Sequence, residues 1–370
     1  MRIGIENHYV HGIARGTRTY LENITRIMPA LAPDHDFYLY SHGYEKAKQL
    51  RHNVTEVPSP YRLNHLNYLV GFGQVARRDK LSLFHSQYVG GMGMKIPQVV
   101  TVHDVFQASH PQYFPFLHRK QLDLMMRLVA SRAAALVTVS SYSKAAICHF
   151  YDISAHRVTV AYEAASDFFR PTKPDGALRR QMNALGIRNG PFFLFVGRLV
   201  PIKNLKGLIC SYGFFRERVK VPVQLVIVGD QDDLFGDDGS REAYLACRYK
   251  ASIIFTGSVR RTLLRALYSD AEALVLPSFC EGFGLPAIEA MACGTPCIVS
   301  DRGALPEVVG DAGKIVPIDE PDELANAMQD HIEREDLKPA KRKAALQRAA
   351  MFSWERCARQ TLQVYRNVME

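Results

Sequence analysis

Short apolar runs alternate with helix-like segments along the whole chain, and this alternation constrains the fold more than any other feature. The run at residues 98–103 precedes a helix-like stretch at 117–135, and the run at 192–196 precedes one at 204–217. Continuous apolar strands that alternate with helices are typical of parallel sheets covered by helices on both faces. The pattern occurs in both halves, so the sequence predicts an α/β fold with two doubly wound, Rossmann-like domains.

A stretch rich in proline and glycine at residues 171–191 marks the boundary between these domains, because such a composition is typical of linkers. A chain of 370 residues also exceeds the size of one ordinary domain. We expect an N-terminal domain over residues 1–172 and a C-terminal domain over residues 173–352. Ligands of doubly wound sheets bind beyond the carboxyl ends of the strands, so two facing domains would hold a ligand in the cleft between them.

The composition excludes several classes of protein. With 47% hydrophobic and 22% charged residues, the chain is globular rather than disordered. It has no run of about 18 apolar residues, so we expect no membrane-spanning helix. The N-terminus MRIGIENHYV lacks the apolar region and cleavage site of a signal peptide. Seven scattered cysteines favour reduced thiols in a cytoplasmic protein over a disulfide framework or a zinc site.

All of the excess positive charge lies in the first half of the chain. Residues 1–180 contain 22 lysines and arginines against 13 aspartates and glutamates, whereas residues 181–370 contain 24 of each. A basic half attracts an anionic partner such as nucleic acid, an acidic membrane surface or a phosphorylated substrate; a merely basic surface is the alternative. Nucleic acid is disfavoured, because the pattern of basic residues interleaved with exposed aromatic residues is not evident.

Two cations, Arg198 and Lys203, lie between the strand predicted at 192–196 and the helix that follows. The N–H groups and the dipole of a helix N-terminus favour an anion, and arginine and lysine add charge-assisted hydrogen bonds. A phosphate or diphosphate is the natural ligand of this arrangement, and a solvated basic loop is the alternative.

Two other strand ends carry weaker signals. Gly229 ends the strand in VIVGD, where a glycine allows a ligand to approach the backbone closely. Ser258 and Val259 follow the strand that ends at Gly257, and their backbone groups could face a flat heterocycle. Taken alone, an ordinary strand-to-loop turn explains Gly229 better than a ligand does, and the signal at Ser258 and Val259 is weak in isolation.

The segment SFCEGFGLPAIEA carries two glutamates, Glu281 and Glu289, eight positions apart. Pro286 suits the first position of a helix, so we expect a short helix over about residues 286–293. The glycines on either side of Phe283 let a ligand approach the backbone. Carboxylates are poor partners for phosphate but good acceptors for the vicinal hydroxyls of a sugar or ribose. Two carboxylates near two cations therefore suggest a phosphate bracketed by two polyols, which describes a sugar nucleotide.

These motifs together resemble one family. The segment GRLVPIKN, followed downstream by EGFGLPAIEAMACGTPCIVSDRGALPEVVGDAG, is similar to the family-4 retaining glycosyltransferases of the GT-B fold. The resemblance is densest over residues 192–317 and extends to GIARGTRTYL, TVHD, VTVSSYSK, VAYEAASDFFRP and FSWERCARQTLQVY. It implies two Rossmann-like domains, of which the first binds the acceptor and the second the donor. It also implies that the final helix, residues 353–370, crosses back to the N-terminal domain.

The resemblance implies a role for each matching residue. Arg198 and Lys203 would hold the donor diphosphate, and Glu281 would bind the hydroxyls of the transferred sugar. Glu289 would bind the ribose, and His103 in TVHD would approach the sugar from the acceptor side. The other positions implied to bind the donor are Gly12, Ala14, Gly229, Ser258, Val259, Gly282, Phe283, Gly284 and Leu285. At Ala14 the chain departs from the double glycine that is usual in the family, which puts the backbone contact at this position in doubt.

The resemblance further implies transfer with retention of the anomeric configuration. Retention requires a covalent intermediate or attack on the face from which the leaving group departs. No aspartate or glutamate is an obvious nucleophile, so we favour front-face attack with the departing diphosphate as the base. The nearest Asp-x-Asp pair, Asp230 and Asp232, lies beside a diphosphate already served by two cations. We therefore expect no metal and no other cofactor.

The run GTPCIVSDRGALPEVVGDAG is most similar to mannosyltransferases and related hexosyltransferases that use GDP-sugars. We therefore expect a mannosyl group to move from GDP-mannose, with UDP-glucose or UDP-N-acetylhexosamine as open alternatives. A lipid-linked or polysaccharide acceptor in cell-surface glycan biosynthesis, anionic in character, would explain the basic first half. The basic helix at 117–135 could contact an anionic membrane, although its apolar stripe is also typical of a core helix. We expect a cytoplasmic protein, peripheral on the inner face of the membrane.

Two further hypotheses remain. The chain could be a non-catalytic subunit that binds a sugar nucleotide, or another GT-B enzyme such as a sugar-nucleotide epimerase or a storage-glucan synthase. The intact Glu281, Glu289, Arg198 and Lys203 argue against the first. The short N-terminal region and the complete E-x7-E pattern of Glu281 and Glu289 argue against the second.

Overall fold

The structure is a computed structural model, which describes residues 1–8, 15–42, 46–229 and 239–370. The chain divides into a first unit, Met1–Glu163 with Ser353–Glu370, and a second unit, Ala164–Phe352. The division precedes the boundary expected after residue 172, because the intervening residues pack on the second unit. The ring of Phe169 lies 5.7 Å from that of Tyr268, and the Thr172 N–H donates to Ser269 Oγ at 3.2 Å.

The first unit is built on one eight-stranded sheet. Its strands are β1 (Arg2–Glu6), β2 (Asp36–Ser41), β3 (Lys48–Arg51), β4 (Val54–Pro58), β5 (Leu83–Gln87), β6 (Gln98–Thr101), β7 (Ala135–Thr138) and β8 (Val158–Val160). Their order is β3-β4-β2-β1-β5-β6-β7-β8. The neighbouring strands are parallel, except that β3 pairs antiparallel with β4. The sequence predicts neither β3 nor β4. Strand β3 is exposed along its whole length and has no apolar pattern.

Helices cover this sheet. They are α1 (Arg15–Leu31), α2 (Asn64–Leu66), α3 (Phe72–Arg78), α4 (Phe106–Ser109), α5 (Phe116–Arg132) and α6 (Ser141–Tyr151). In α1 the fully buried residues recur at the spacing of one helical face, which is why this segment packs as an amphipathic helix: Tyr20, Leu21, Ile24 and Met28. Helix α5 follows β6 and precedes the parallel neighbour β7, so it begins at the carboxyl edge of the sheet and ends at the amino edge.

The second unit contains a six-stranded sheet that is parallel throughout. Its strands are β9 (Phe192–Val196), β10 (Gln224–Val228), β11 (Ile253–Gly257), β12 (Ala273–Leu276), β13 (Cys297–Ser300) and β14 (Lys314–Val316), in the order β11-β10-β9-β12-β13-β14. Its described helices are α7 (Gly176–Ala184), α8 (Leu205–Arg218), α9 (Ser240–Ala246), α10 (Arg261–Asp270), α11 (Leu285–Ala292), α12 (Leu305–Val309), α13 (Pro321–Glu333) and α14 (Lys338–Ala349).

The last helix, α15 (Trp354–Met369), belongs to the first unit although it follows the second in the chain. Ser353 caps it, with the side-chain oxygen accepting from the Arg356 N–H at 3.2 Å. Trp354 and Tyr365 are buried, and the Tyr365 hydroxyl lies 2.5 Å from His85 Nδ1 on β5. Burying an aromatic side chain contributes about 1.5–3 kcal/mol. The predicted return of the final helix to the N-terminal domain is therefore confirmed.

Candidate active site

The carboxyl edge of the second sheet carries most of the residues predicted to bind the donor. Because this sheet is parallel, its strands all end at one edge. Strands β11, β10, β9 and β12 are consecutive neighbours. The edge therefore carries, in this order, Ser258, Gly229, Arg198 and the loop at 277–284. The sequence assigns Ser258 to the base, Arg198 to the diphosphate and Glu281 in the last loop to the transferred sugar, and these assignments stay predictions.

The glycines at three of these strand ends pack against one another. The Gly197 N–H donates to the Val228 carbonyl at 3.0 Å, and the Gly229 N–H donates to the Gly257 carbonyl at 3.3 Å. A β-carbon on Gly229 would lie 2.3 Å from the Gly197 carbonyl oxygen. The close packing of these strand ends therefore requires glycine at 229, whether or not a ligand binds there.

Lys203 is held by a short turn between β9 and α8. The turn ends at Asn204, which has φ 55° and caps α8 by accepting from the Gly207 N–H at 3.1 Å. The Phe279 N–H donates to the Ile202 carbonyl at 2.8 Å. This bond ties the lysine turn to the loop after β12, so local backbone structure brings Lys203 next to the segment that carries Glu281.

Lys203 and Glu281 form a largely buried ion pair, with Nζ 2.6 Å from Oε2. The other carboxylate oxygen, Oε1, accepts from the Ser278 hydroxyl at 2.9 Å. Ser278 is held in turn by β13, because the Ser300 hydroxyl donates to its carbonyl at 2.7 Å. An ammonium group has three N–H donors and a carboxylate oxygen accepts more than one bond. Both partners can therefore bind a ligand while they remain paired.

Gly303, which the sequence analysis did not single out, supports the backbone of Glu281. It has φ +63°, and a β-carbon there would lie 2.5 Å from the Glu281 nitrogen. The neighbouring Ala304 N–H donates to the Glu281 carbonyl at 3.0 Å. The loop between β13 and α12 thus fixes the position of the glutamate from behind.

Glu289 lies on α11, which begins at residue 285, one residue earlier than expected. The hydroxyl of Tyr268 donates to Glu289 Oε2 at 3.0 Å. Burial and the nearby Glu289 carboxylate raise the pKa of Tyr268 far above its usual range. The hydroxyl therefore keeps its proton and orients the carboxylate. No sequence signal points to Tyr268, since it lies on α10, 21 positions before its partner.

The turn before α11 presents backbone rather than side chains. Gly284 has φ +99° and caps the helix that starts at Leu285, and Gly282 is half-buried. The Phe283 side chain is buried, and its ring lies 5.7 Å from that of Phe352. Only the backbone of Phe283 is thus suited to contact a ligand, and its predicted contact with the donor stays a prediction.

His103 lies in the first unit, two residues after β6, whereas the other described site residues lie in the second. Its Nε2 is 3.1 Å from Gln87 Oε1, and its Nδ1 is 3.5 Å from Glu163 Oε1. The Ser143 hydroxyl donates to the His103 carbonyl at 2.9 Å. The side chains of His103, Gln87 and Glu163 are almost fully buried. Glu163 lies in the quoted motif VAYEAASDFFRP, but the sequence alone assigned it no role.

The remaining predicted positions are described in part. Ser258 is exposed and Val259 is half-buried, directly after β11. Gly12 and Ala14 lie outside the described residues, and so do Asp230 and Asp232.

Within the part of the chain that the structure describes, no group of three or more histidine, cysteine, aspartate or glutamate side chains could hold a metal ion. Nor is any helix in that part both long and apolar enough to cross a bilayer. All seven cysteines lie within it, and each has a free thiol.

Comparison with known families decides the identity of the chain. The family described as "Glycosyl transferases group 1" matches residues 179–349, and "Glycosyltransferase Family 4" matches residues 14–165. The chain belongs to glycosyltransferase family 4. One match falls almost wholly on each unit, and together the two matches span most of the sequence. The family predicted from the motifs is therefore confirmed, and this family-4 protein is a glycosyltransferase.

Several curated relatives of this family-4 protein are mannosyltransferases. "O-antigen chain mannosyltransferase B" of Escherichia coli is 29% identical over 274 residues, which cover 72% of this chain and 70% of that protein. "MMP alpha-(1->4)-mannosyltransferase" of Mycolicibacterium hassiacum is 29% identical over 329 residues, which cover 83% of this chain and 74% of that protein.

Solved structures agree with the fold over almost the whole length. Sucrose-phosphate synthase from Thermosynechococcus elongatus superposes with a TM-score of 0.78 at 20% identity and covers 99% of this chain and 98% of its own. The Anabaena protein HepE in complex with UDP-glucose gives a TM-score of 0.75 at 19% identity and covers 99% of this chain and 100% of its own. The predicted α/β fold with two Rossmann-like domains of the GT-B class is thus confirmed.

Proposed function

We propose that this glycosyltransferase moves a mannosyl group from GDP-mannose to a lipid-linked or polysaccharide acceptor in cell-surface glycan biosynthesis. The transfer retains the anomeric configuration and needs no metal ion. The observation that carries the proposal is the pairing of Lys203 with Glu281 at 2.6 Å, at a sheet edge that also bears Arg198. It joins a cation suited to a diphosphate with a carboxylate suited to sugar hydroxyls.

The donor lies along the edge of the second sheet. Arg198 and Lys203 bind the diphosphate, Glu281 accepts hydrogen bonds from the hydroxyls of the transferred sugar, and Glu289 accepts them from the ribose. The Ser258–Val259 backbone faces the base. Backbone N–H groups at the start of α11 bind the part of the donor that lies between Glu281 and Glu289. They are available because the first N–H groups of a helix lack partners within it.

In the reaction, the bond between the anomeric carbon and the diphosphate oxygen breaks as a bond forms between that carbon and an acceptor hydroxyl oxygen. The acceptor proton passes to the departing diphosphate, which leaves on the same face. Arg198 and Lys203 stabilise the charge that develops on this leaving group. Their ammonium and guanidinium groups supply the positive charge that a metal ion provides in other transferases.

The mannosyltransferase relatives support mannose as the transferred sugar, since they are 29% identical over most of the chain. The UDP-glucose bound by HepE makes UDP-glucose the competing donor. We assign His103 to contact with the transferred sugar. The excess of nine positive charges in residues 1–180 supports an anionic acceptor and a cytoplasmic location with peripheral contact to an anionic membrane.

A thermal-unfolding screen with GDP-mannose, UDP-glucose and UDP-N-acetylglucosamine tests the donor. The cognate donor at 100 times its dissociation constant stabilises a protein by about 2.7 kcal/mol, and we expect this for GDP-mannose alone. NMR of the product should show that the anomeric configuration of the donor is retained, with turnover unchanged by EDTA. Stabilisation by a UDP-sugar alone would overturn mannose transfer from GDP-mannose, and inversion or loss of turnover in EDTA would overturn the mechanism.

A further inference from the structure

The first unit contains a largely apolar cavity that the proposed reaction does not use. Its volume is about 300 Å³, at the lower end of the range of small-molecule sites, roughly 300–1,000 Å³. Met92, Val100, Leu122, Met125 and Leu128 are among its lining residues. The cavity lies between α5, the segment around Tyr68 and the loop after β5.

One whole face of α5 lines this cavity. The lining positions on the helix are spaced by one, three and four residues, as one helical face requires: His118, Gln121, Leu122, Met125, Leu128, Val129 and Arg132. Of the 17 residues of α5, only Met126 and Val129 are buried. A helix that covers a sheet ordinarily buries more of its apolar face. The cavity accounts for this difference, because it lies where core side chains would otherwise pack.

The cavity is elongated along α5. His118 and Arg132 both line it, and at about 1.5 Å of rise per residue they are separated by roughly 21 Å. The His118 end lies towards the carboxyl edge of the first sheet, because α5 begins there. Val89, which also lines the cavity, comes two residues after Gln87, the partner of His103. One end of the cavity is thus close to the residue expected to meet the acceptor.

Cations and exposed apolar side chains surround that same end. Arg119 and Lys120 follow His118 directly, and each lies over the Phe116 ring, at 5.5 and 5.8 Å. Phe116 is exposed, and Leu117 is 81% exposed. Exposed apolar residues beside cations are typical of a surface that meets a lipid with an anionic head group.

We propose that this cavity binds the hydrocarbon chain of the lipid that carries the acceptor, with the anionic head at the Arg119 end. The charge complementarity and the position of this end close to Gln87, the partner of His103, favour a lipid over an apolar segment of a protein. The inference rests on the proposed function, since it specifies the acceptor as a chain-bearing phosphate. It extends that function by placing the chain inside the first unit rather than only in the bilayer.

The test uses the full chain without membranes and two probes, farnesyl phosphate and farnesol, which displace fluorescent cis-parinaric acid. We expect saturable displacement by both probes. Met125→Trp should weaken the binding of both on the order of tenfold or more, because the indole occupies the apolar volume that the chain buries. Leu124→Trp, one position away on the exposed side of α5, should leave binding unchanged. Equal effects of the two variants, or no saturable binding to the wild type, would overturn the proposal.

The position of the head group has its own pair of variants. Arg119→Gln should weaken farnesyl phosphate roughly tenfold, as expected for the loss of one charge-assisted hydrogen bond, and leave farnesol unchanged. Arg132→Gln, at the other end, should affect both probes little. A larger effect at Arg132 than at Arg119 would overturn the proposed orientation.

A measurement on the wild type guards against variants that fail to fold. A fatty acid carrying a photoreactive diazirine should label peptides from residues 65–69, 89–92 and 118–133, and farnesyl phosphate should suppress this labelling. Labelling confined to other segments would overturn the cavity assignment. Donor hydrolysis measured in parallel separates the two hypotheses. Hydrolysis without probe binding contradicts the cavity alone, and probe binding without turnover of any sugar nucleotide contradicts the proposed function alone.

Discussion

At the scale of single residues, the ion pair between Lys203 and Glu281 joins the two halves of the proposed donor site. The lysine side chain is 19% exposed and the glutamate side chain 11%. Removing one partner of a buried pair leaves the other charge uncompensated, which costs more than the pair itself contributes. Variants at these positions therefore require a measurement of stability beside each measurement of activity.

Lys203→Ala should lower kcat by roughly 100- to 1,000-fold, because it removes a preorganised cation from the leaving diphosphate. Lys206→Ala is the matched control, since Lys206 lies in the first turn of α8 and is exposed. Steady-state kinetics with the cognate donor measure the effect. Comparable losses in both variants would show that general positive charge, rather than the paired lysine, supports the reaction.

Tyr268→Phe should raise KM for the donor about tenfold and change kcat little, because the lost hydroxyl orients Glu289 through a hydrogen bond to a charged group. Tyr212→Phe is a suitable control: its hydroxyl donates to the Val223 carbonyl at 2.7 Å and also contacts Ser252 Oγ, and neither residue belongs to the proposed site. A fall in kcat with KM unchanged would contradict the assignment of Glu289 to uniform binding of the ribose.

Sequence reasoning reaches the residues whose chemistry is encoded by local spacing. Glu281 and Glu289 were predicted from their spacing around a glycine turn, and Lys203 from its place between a strand and a helix. Tyr268 and Gly303 were not predicted, because their contacts with the site come from α10 and from the loop after β13. Such contacts depend on strand order, which the linear sequence does not show.

At the scale of elements, the loop between β13 and α12 positions the backbone of Glu281. Gly303→Ala should therefore reduce activity while the fold is retained, since the new β-carbon would meet the Glu281 backbone. Gly186→Ala provides the control: Gly186 also has positive φ, at +86°, but its β-carbon would meet only Ile254 Cδ1 at 3.5 Å. An alanine at positive φ costs about 1–2 kcal/mol at either position, and the close contact at Gly303 adds to this cost, so Gly303→Ala should lose more stability than Gly186→Ala. Equal activity in the two would contradict the supporting role of Gly303.

Helix α15 should stabilise the first unit specifically. Trp354→Ala removes a buried indole and should lower the free energy of unfolding by about 3–5 kcal/mol. Hydrogen exchange should quicken in α1, whose Tyr20 ring lies 6.2 Å from that of Trp354, and remain unchanged in β9 and β10. Arg359→Ala, on the exposed face of α15, should leave both units unaffected. Faster exchange throughout β9 and β10 would contradict the assignment of α15.

The strands and long helices were predictable, because each buried parallel strand is a continuous apolar run. Strand β3 was not predictable, because it is exposed and lies at the edge of the sheet, where only pairing with β4 defines it. The cavity beside α5 was equally beyond the sequence. An apolar face on a helix indicates burial, but it does not tell whether protein side chains or a ligand cover it.

At the scale of the whole molecule, each unit contains a histidine that burial keeps neutral. Burial, with the nearby His103, lowers the pKa of His85 to about 3, and burial, with the nearby Lys341, lowers that of His331 to about 4. Both lie below the usual value of 6.5. At pH values between the lowered pKa of each histidine and 6.5, the unfolded chain binds more protons than the folded chain. Stability should therefore fall as the pH falls below 6.5, by at most about 1.4 kcal/mol per pH unit for each histidine.

Urea unfolding at about pH 7, 6 and 5 measures this slope. His331→Leu should reduce the slope, whereas the exposed His156→Leu should leave it unchanged. A slope that His331→Leu does not alter would show that another group controls the acid sensitivity of the second unit.

The central claim is that Lys203 binds the diphosphate while Glu281 binds the transferred sugar. The most direct test is calorimetric titration of the wild type, Lys203→Ala and Glu281→Ala with GDP-mannose and with GDP. Loss of hydrogen bonds to a charged acceptor costs about 1.5–3 kcal/mol. Glu281→Ala should therefore lower the affinity for GDP-mannose relative to GDP by roughly 10- to 100-fold. Lys203→Ala should weaken both ligands alike. An unchanged ratio of the two affinities in Glu281→Ala would contradict the account.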